Sequence, residues 1–246
     1  MLDAQWLKAF VPIGHLKSSH EWLPAGAGVL YLHKSLIWII TAKHVVEGGN
    51  NTALLVSQKN KNTAVIDLQE IHKQNKLRWL YHNRCGLSAS LMPVSNDFDI
   101  KAIGKENCIR ADEVIPSMQC YTVGCPHGVR GFNPETTTPL LLSGIISGVN
   151  PKDKTIYTST PTFPGNSGGP LIVFRSPITT GGNMTVGLPT VLLAGIITSF
   201  ILVPESATWN GVPPLHLGVA ISIEEIEHLL NSDEALELVK QVTVKQ

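Results

Sequence analysis

Residues 164–170 read Pro164-Gly165-Asn166-Ser167-Gly168-Gly169-Pro170, a serine set among residues that favour sharp turns. A serine hydroxyl is a weak nucleophile until a base takes its proton. The neighbouring glycines let the backbone N–H groups of Gly165 and Ser167 converge on one point, where a developing oxyanion would be held. A histidine able to act as the base stands at His44, in Thr41-Ala42-Lys43-His44-Val45-Val46, directly after an apolar run. An acid able to hold the other ring nitrogen stands at Asp99, in Asn96-Asp97-Phe98-Asp99-Ile100, with Asp97 as the alternative. The chemistry these types suit is acyl transfer. Ser167 attacks a carbonyl, His44 takes its proton, and Asp99 fixes the imidazole tautomer.

An isolated Ser-Gly-Gly is most often only a turn. Seven matched residues leading into the apolar Leu171-Ile172-Val173-Phe174 are far more specific. The other histidines (15, 20, 33, 72, 82, 127, 216 and 228) have no such context and read as surface or satisfied core residues.

The elements that must position these groups read as strands. Ala27–Leu32 and Leu36–Ile40 flank His33-Lys34-Ser35 as a hairpin. Further short runs, many of them β-branched, cover 52–57, 64–68, 100–103, 119–124, 140–146, 154–158, 171–174, 191–197 and 215–221. Roughly a dozen strands with regular turns between them predict barrels or sandwiches. The stretch from about Arg84 to Asp97 reads as a connector between two β halves, and 133–139 and 176–189 as surface loops. Helical periodicity is confined to the end: Ser222-Ile223-Glu224-Glu225 has the spacing of a capping box, and a second short helix follows from Asn231.

Composition narrows the class. Nineteen basic and nineteen acidic side chains balance, so net charge points to no nucleic-acid partner and no membrane surface. No apolar run reaches membrane-spanning length, and the start lacks the pattern of a secretory signal, which leads us to expect a cytoplasmic protein. A chain beginning after a removed signal would be periplasmic or secreted instead. The cysteines Cys85, Cys108, Cys120 and Cys125 form no C-x-x-C pair, so neither zinc nor another metal is expected, and free thiols are expected over disulfides.

With these residues placed, the chain resembles the trypsin-like (chymotrypsin-fold) serine peptidases, and among them the bacterial high-temperature-requirement (HtrA) type without a regulatory peptide-binding domain. Thr41 to Val46 resembles that family's histidine motif, Asp99-Ile100 its acidic strand start, and Pro164 to Pro170 its nucleophile loop. Gly26-Ala27-Gly28-Val29, Leu142 to Ser147 and Leu217 to Ile221 resemble three of its strands.

The resemblance implies an all-β fold of two six-stranded antiparallel barrels with a short C-terminal helical segment. It implies one peptidase domain over 1–246: an N-terminal barrel about 20–104, a C-terminal barrel about 118–221 and a helix about 222–240. The implied activity is serine endopeptidase on protein or peptide substrates through an acyl-enzyme, with no cofactor. The rival reading is a protease scaffold that binds extended peptides without cutting them.

The implied substrate pocket comprises Thr162, Phe163, Thr198, Ser199, Phe200, Gly218 and Ala220. None of these is charged, which favours a small or medium apolar side chain at the cleavage site. Asn166 stands where digestive relatives carry an aspartate that pairs with a newly cut N-terminus, so no such activating cut is expected.

Overall fold

The computed structural model describes residues 4–18, 21–48, 52–125, 139–175, 190–201 and 217–243. In chain order these form α1 (Ala4–Leu7), β1 (Phe10–Ser18), β2 (Glu21–His33), β3 (Leu36–Ala42), α2 (Lys43–Val46), β4 (Thr52–Ser57), β5 (Thr63–Asp67) and α3 (Leu68–Asn75). Next come β6 (Leu80–Tyr81), β7 (Leu87–Leu91), β8 (Gln119–Gly124), β9 (Leu140–Asn150), β10 (Thr155–Thr158), β11 (Pro170–Arg175), β12 (Thr190–Ile201) and β13 (Leu217–Ser222). The chain ends in α4 (Ile223–Leu230) and α5 (Asp233–Thr243). No helix among the described residues is long and apolar enough to cross a membrane.

The strands sort into two antiparallel bodies. The first is a seven-stranded sheet in the order β5-β4-β1-β2-β3-β7-β6. The second is a closed barrel, β10-β13-β12-β11-β8-β9. The fold is mostly β, as the sequence predicts, and the C-terminal half closes with the expected six strands. The N-terminal half differs: its strands pair as a seven-stranded sheet, not as a closed six-stranded barrel.

Each half has its own apolar interior. Ile13, Leu30, Ile39, Leu54 and Leu68 fill the first, and Ile146, Ile156, Leu171, Val173 and Ile197 the second. A third cluster runs between the halves. It joins Tyr31, Trp38, Leu87 and Ala89 of the sheet to Leu193 and Ile196 of β12, and then to Ile226, Leu229 and Leu238 of the terminal helices. Burying a side chain of this size contributes roughly 1.5–3 kcal/mol. The helices therefore help hold the sheet against the barrel.

Several elements depart from the sequence reading. Ile100–Ile103 does not form a strand; Ile103 makes a single parallel bridge to Tyr31. The supposed connector contains β7, which pairs with β3 from Trp38↔Leu91 to Ala42↔Leu87. All five of its residues are buried. β1 carries Pro12 and Gly14, which weaken any strand signal. Helix α3 starts at Asp67, whose carboxylate accepts the Glu70 N–H at 3.0 Å, a cap overlooked at the end of a strand-like run. Conversely, Ser222 starts α4 but its hydroxyl caps nothing and lies buried without a partner. The expected loops 133–138 and 176–189, and Leu215-His216, lie outside the described residues. The four cysteines are free thiols.

Helix α3 braces β7 through His72, whose Nε2 lies 2.8 Å from Ser90 Oγ. Burial pushes the His72 pKa down to about 4, so the folded state holds a neutral ring. The unfolded chain takes up that proton near pH 6.5. Stability is therefore complete above roughly pH 6.5 and is lost as pH falls toward about 4, by at most about 3 kcal/mol from this group. Burial lowers the pKa of His33 and His82 as well and adds in the same direction. Urea unfolding at pH 7.5 and pH 4.5 should show the fall, and His72→Gln should reduce it. An unchanged fall in that variant would remove His72 as a source.

Candidate active site

The nucleophile loop is two consecutive tight turns. The Asn166 amide donates to Phe163 O at 3.0 Å, and the Gly169 amide to Asn166 O at 3.0 Å. Gly168 takes φ +87, a conformation that favours glycine. The loop is tied down on three sides. Cys125 N donates to Gly165 O, Gly168 N to Ile197 O, and Ala27 N to Ser167 O, at 3.1, 2.7 and 2.8 Å. The amides of Gly165 and Ser167 donate to no other group among the described residues. Gly165 is buried and Ser167 half-buried.

His44 comes from the opposite half, on α2 at the end of β3. Two glycine sites show how closely the halves meet there. A methyl on Gly26 would lie 2.6 Å from Val45 Cγ2 and 2.7 Å from Ser167 O. A methyl on Gly168 would fall 1.9 Å from Ala27 O and 2.3 Å from Thr41 Oγ1. The Thr41 hydroxyl itself donates to Ala27 O at 2.6 Å. The strand segment Gly26-Ala27 is thus a common seat for the Ser167 loop and for Val45, the residue after His44. No hydrogen bond joins His44 and Ser167 directly; catalytic hydrogen bonds are commonly long before substrate binds. Although His44 is exposed at the surface, partial desolvation by the surrounding protein lowers its pKa, and the nearby Glu47 carboxylate opposes that shift.

Asp99 is not brought to the imidazole. Its carboxylate pairs with Lys8 Nζ at 2.7 Å, and its amide donates to Ser57 O at 2.8 Å. Asp97 lies in an exposed turn, its carbonyl accepting the Lys59 amide. The physical reason is the missing strand at 100–103: without it, the 96–99 turn packs against β4 and not beside β3. What pairs with β3 next to His44 is β7, whose first neighbour is Gly86. Lys43 N donates to Gly86 O at 2.8 Å.

The turn leading into Gly86 is anchored by His82. Its Nδ1 accepts the amides of Arg84 and Cys85 at 3.1 and 3.2 Å, and its Nε2 lies 2.9 Å from Glu225 Oε2 on α4. One ligand atom each from His82, Cys85 and Glu225 lies within 4.8 Å of the others, a spacing that could suit a metal. The hydrogen bonds describe something else. With Nδ1 accepting twice, a neutral ring carries its proton on Nε2 and donates it to His228 Nδ1 at 3.1 Å, with the Glu225 carboxylate 2.9 Å away. His82 is a structural tie between the turn and α4.

The expected pocket residues divide. Thr162 is buried with its hydroxyl on Thr160 O, and a methyl on Gly218 would come 2.5 Å from Thr162 Oγ1. Phe163, Ser199 and Phe200 are exposed around them. Ala220 does not join: it is fully buried inside the barrel core, facing away from any pocket. Thr198 is the extra residue of a bulge between Ile197 and Ser199 opposite β13, and it lies against Gly86. The sequence reading missed β7, Gly86 and the Thr41 hydroxyl. The strict alternation Leu87-Ser88-Ala89-Ser90-Leu91 was the available signal for the first two.

Residues 26–175, more than half of the chain, match the trypsin-like peptidase domain. The chain belongs to the trypsin-like peptidase family. The matched span includes both His44 and Ser167. No curated protein matches the chain significantly in sequence. Among solved structures it is similar to an HtrA-type protease, AlgW, described with a tripeptide (19% identity, TM-score 0.56, covering 93% of this chain and 61% of that one). It is also similar to a serine endoprotease from Yersinia pestis (18% identity, TM-score 0.55, covering 96% and 64%). At these identities the likeness shows the fold, and the chain spans about six tenths of the length of those two proteins.

For this trypsin-like domain, the Lys8–Asp99 pair is an exposed ion pair of the kind worth roughly 0–1 kcal/mol. Asp99→Asn should change peptide hydrolysis by no more than about twofold and stability by no more than about 1 kcal/mol. A loss of several orders of magnitude in kcat would return Asp99 to the mechanism.

Proposed function

We propose that the protein is a serine endopeptidase in which Ser167 attacks the scissile carbonyl and His44 acts as general base. The amides of Gly165 and Ser167 bind the oxyanion, and an acyl-enzyme forms and is hydrolysed. The observation that carries this reading is the pair of undonated amides beside Ser167. They sit in a loop whose other polar backbone groups are largely engaged, on the strand that also seats the His44 helix. Donors held in place before reaction cost no reorganisation when charge develops, which is why such sites contribute strongly to rate.

The substrates are proteins or peptides, as family membership supports. Thr162 and Gly218, with Phe163 and Phe200 exposed beside them, present no charge to the side chain at the cleavage site. A small or medium apolar residue suits it. A mixed peptide library read by mass spectrometry should show cuts after such residues; a strict requirement for Lys or Arg would overturn the preference.

A second reading has one observation in its favour. His44 and Ser167 share no hydrogen bond, and no carboxylate is bonded to His44 among the described residues. A scaffold that holds extended peptides without cutting them would look like this. A fluorophosphonate probe separates the two. The peptidase reading expects covalent labelling of Ser167 that is lost in Ser167→Ala. Because the His44 pKa is lowered, the neutral base persists to lower pH, so the acid limb of the labelling rate should lie below roughly pH 6.5. Peptide binding with no labelling at any pH would favour the module.

A further inference from the structure

We infer that Gly86 marks the empty seat of the third catalytic group: this chain works with Ser167 and His44 alone, and a carboxylate placed at position 86 would complete the triad. This rests on the peptidase reading above.

The first argument is register. Ala42 pairs with Leu87, and the ladder continues one step further, Lys43 N donating to Gly86 O at 2.8 Å. Residue 86 therefore stands at the mouth of β7 directly beside the residues that carry the imidazole. By strand alternation its Cβ direction is that of Ser88, which pairs with Thr41. Thr41 is the residue whose hydroxyl reaches the Ser167 loop.

The second argument is space. Gly86 is exposed, and a methyl built on it meets nothing closer than Thr198 Cβ at 3.8 Å and Thr198 Cγ2 at 4.0 Å. Those are ordinary contacts. Its φ lies outside the left-handed region, in contrast to Gly165 and Gly168, so a side chain costs no backbone strain. Nothing in the local geometry requires glycine here. The bulge at Thr198 aims that residue at the same spot from the barrel side.

The third argument is the fate of the neighbouring acids. Asp99 is held by Lys8, and Glu225 by His82. Glu47 is the one carboxylate that acts on the charge of His44 among the described residues. It is itself paired with Lys43 at 3.2 Å, its side chain 57% exposed. Lys43, on the same helix as His44, directs its ammonium over the Tyr81 ring of β6 at 5.7 Å. None of these supplies a buried, fixed acceptor for the second ring N–H. A serine–histidine pair without that acceptor retains only part of the rate, because the tautomer and the imidazolium are left unsupported.

The test uses the full chain and compares Gly86→Asp with Gly86→Asn as its uncharged match. The readout is the second-order rate of fluorophosphonate labelling at Ser167, located by mass spectrometry, as a function of pH. Gly86→Asp should accelerate labelling by at least about tenfold, and Gly86→Asn should lack that gain. The new carboxylate should also move the acid limb to higher pH, because it stabilises the imidazolium, a shift that a purely structural effect would not produce. In the natural protein, formate added in excess should enter the open seat and raise the labelling rate with saturation.

If the natural protein labels, but Gly86→Asp neither accelerates nor shifts the limb, the assignment of Gly86 falls and the peptidase reading stands. If neither protein labels at Ser167, both fall together. Should Gly86→Asp lose its folded circular-dichroism spectrum, formate titration of the natural protein decides, and a flat response overturns the inference.

Discussion

One close contact carries the site: the Ala27 amide donating to Ser167 O at 2.8 Å, with the Thr41 hydroxyl on Ala27 O at 2.6 Å. Each hydrogen bond is worth only about 1 kcal/mol net. Its importance is geometric. A strand of the N-terminal sheet meets a loop of the C-terminal barrel with no room for a single added carbon at Gly26 or Gly168. The His44 helix leans on the same strand through Val45. Two side chains more than a hundred residues apart are thus referred to one backbone segment, and movement of either half disturbs both.

Around this contact the molecule is stiff where position matters. β7 is fully buried, packed on one face against the cluster between the halves and bonded on the other through Ser90 to His72. The turn at its head is tied through His82 to Glu225, so α4 reaches from the chain's end to the neighbourhood of residue 86. Buried polar groups are not all satisfied. Asn166 Oδ1, Ser88 Oγ and Ser222 Oγ lack partners among the described residues. Each such group costs free energy. Asn166 lies in the nucleophile loop itself, and Ser88 two residues from Gly86.

The electrostatics of the pair follow from the same packing. Partial desolvation lowers the His44 pKa, which favours the neutral form of a base waiting for a serine proton and gives its charged form less support once that proton arrives. Glu47 opposes this only from solvent, where screening is strong and Lys43 competes for it.

What the sequence determined by itself is the local chemistry. The run from Pro164 to Pro170 can hardly fold except as tight turns, and Ile39 to Val46 places a histidine at a buried strand's end, because turn propensity and apolar periodicity act over a few residues. The strands of the barrel and the two terminal helices were legible for the same reason. The third group was not. Asp99 stands before an apolar run that reads as a strand, while Leu87-Ser88-Ala89-Ser90-Leu91 reads weakly because it is short and its three middle residues are small, two of them polar. Which segment lies beside β3 depends on pairing between distant strands and on which interior accepts Leu87 and Ala89. Only the tertiary structure could decide that, since register and burial are properties of the assembled sheet. It gave the place beside His44 to a glycine.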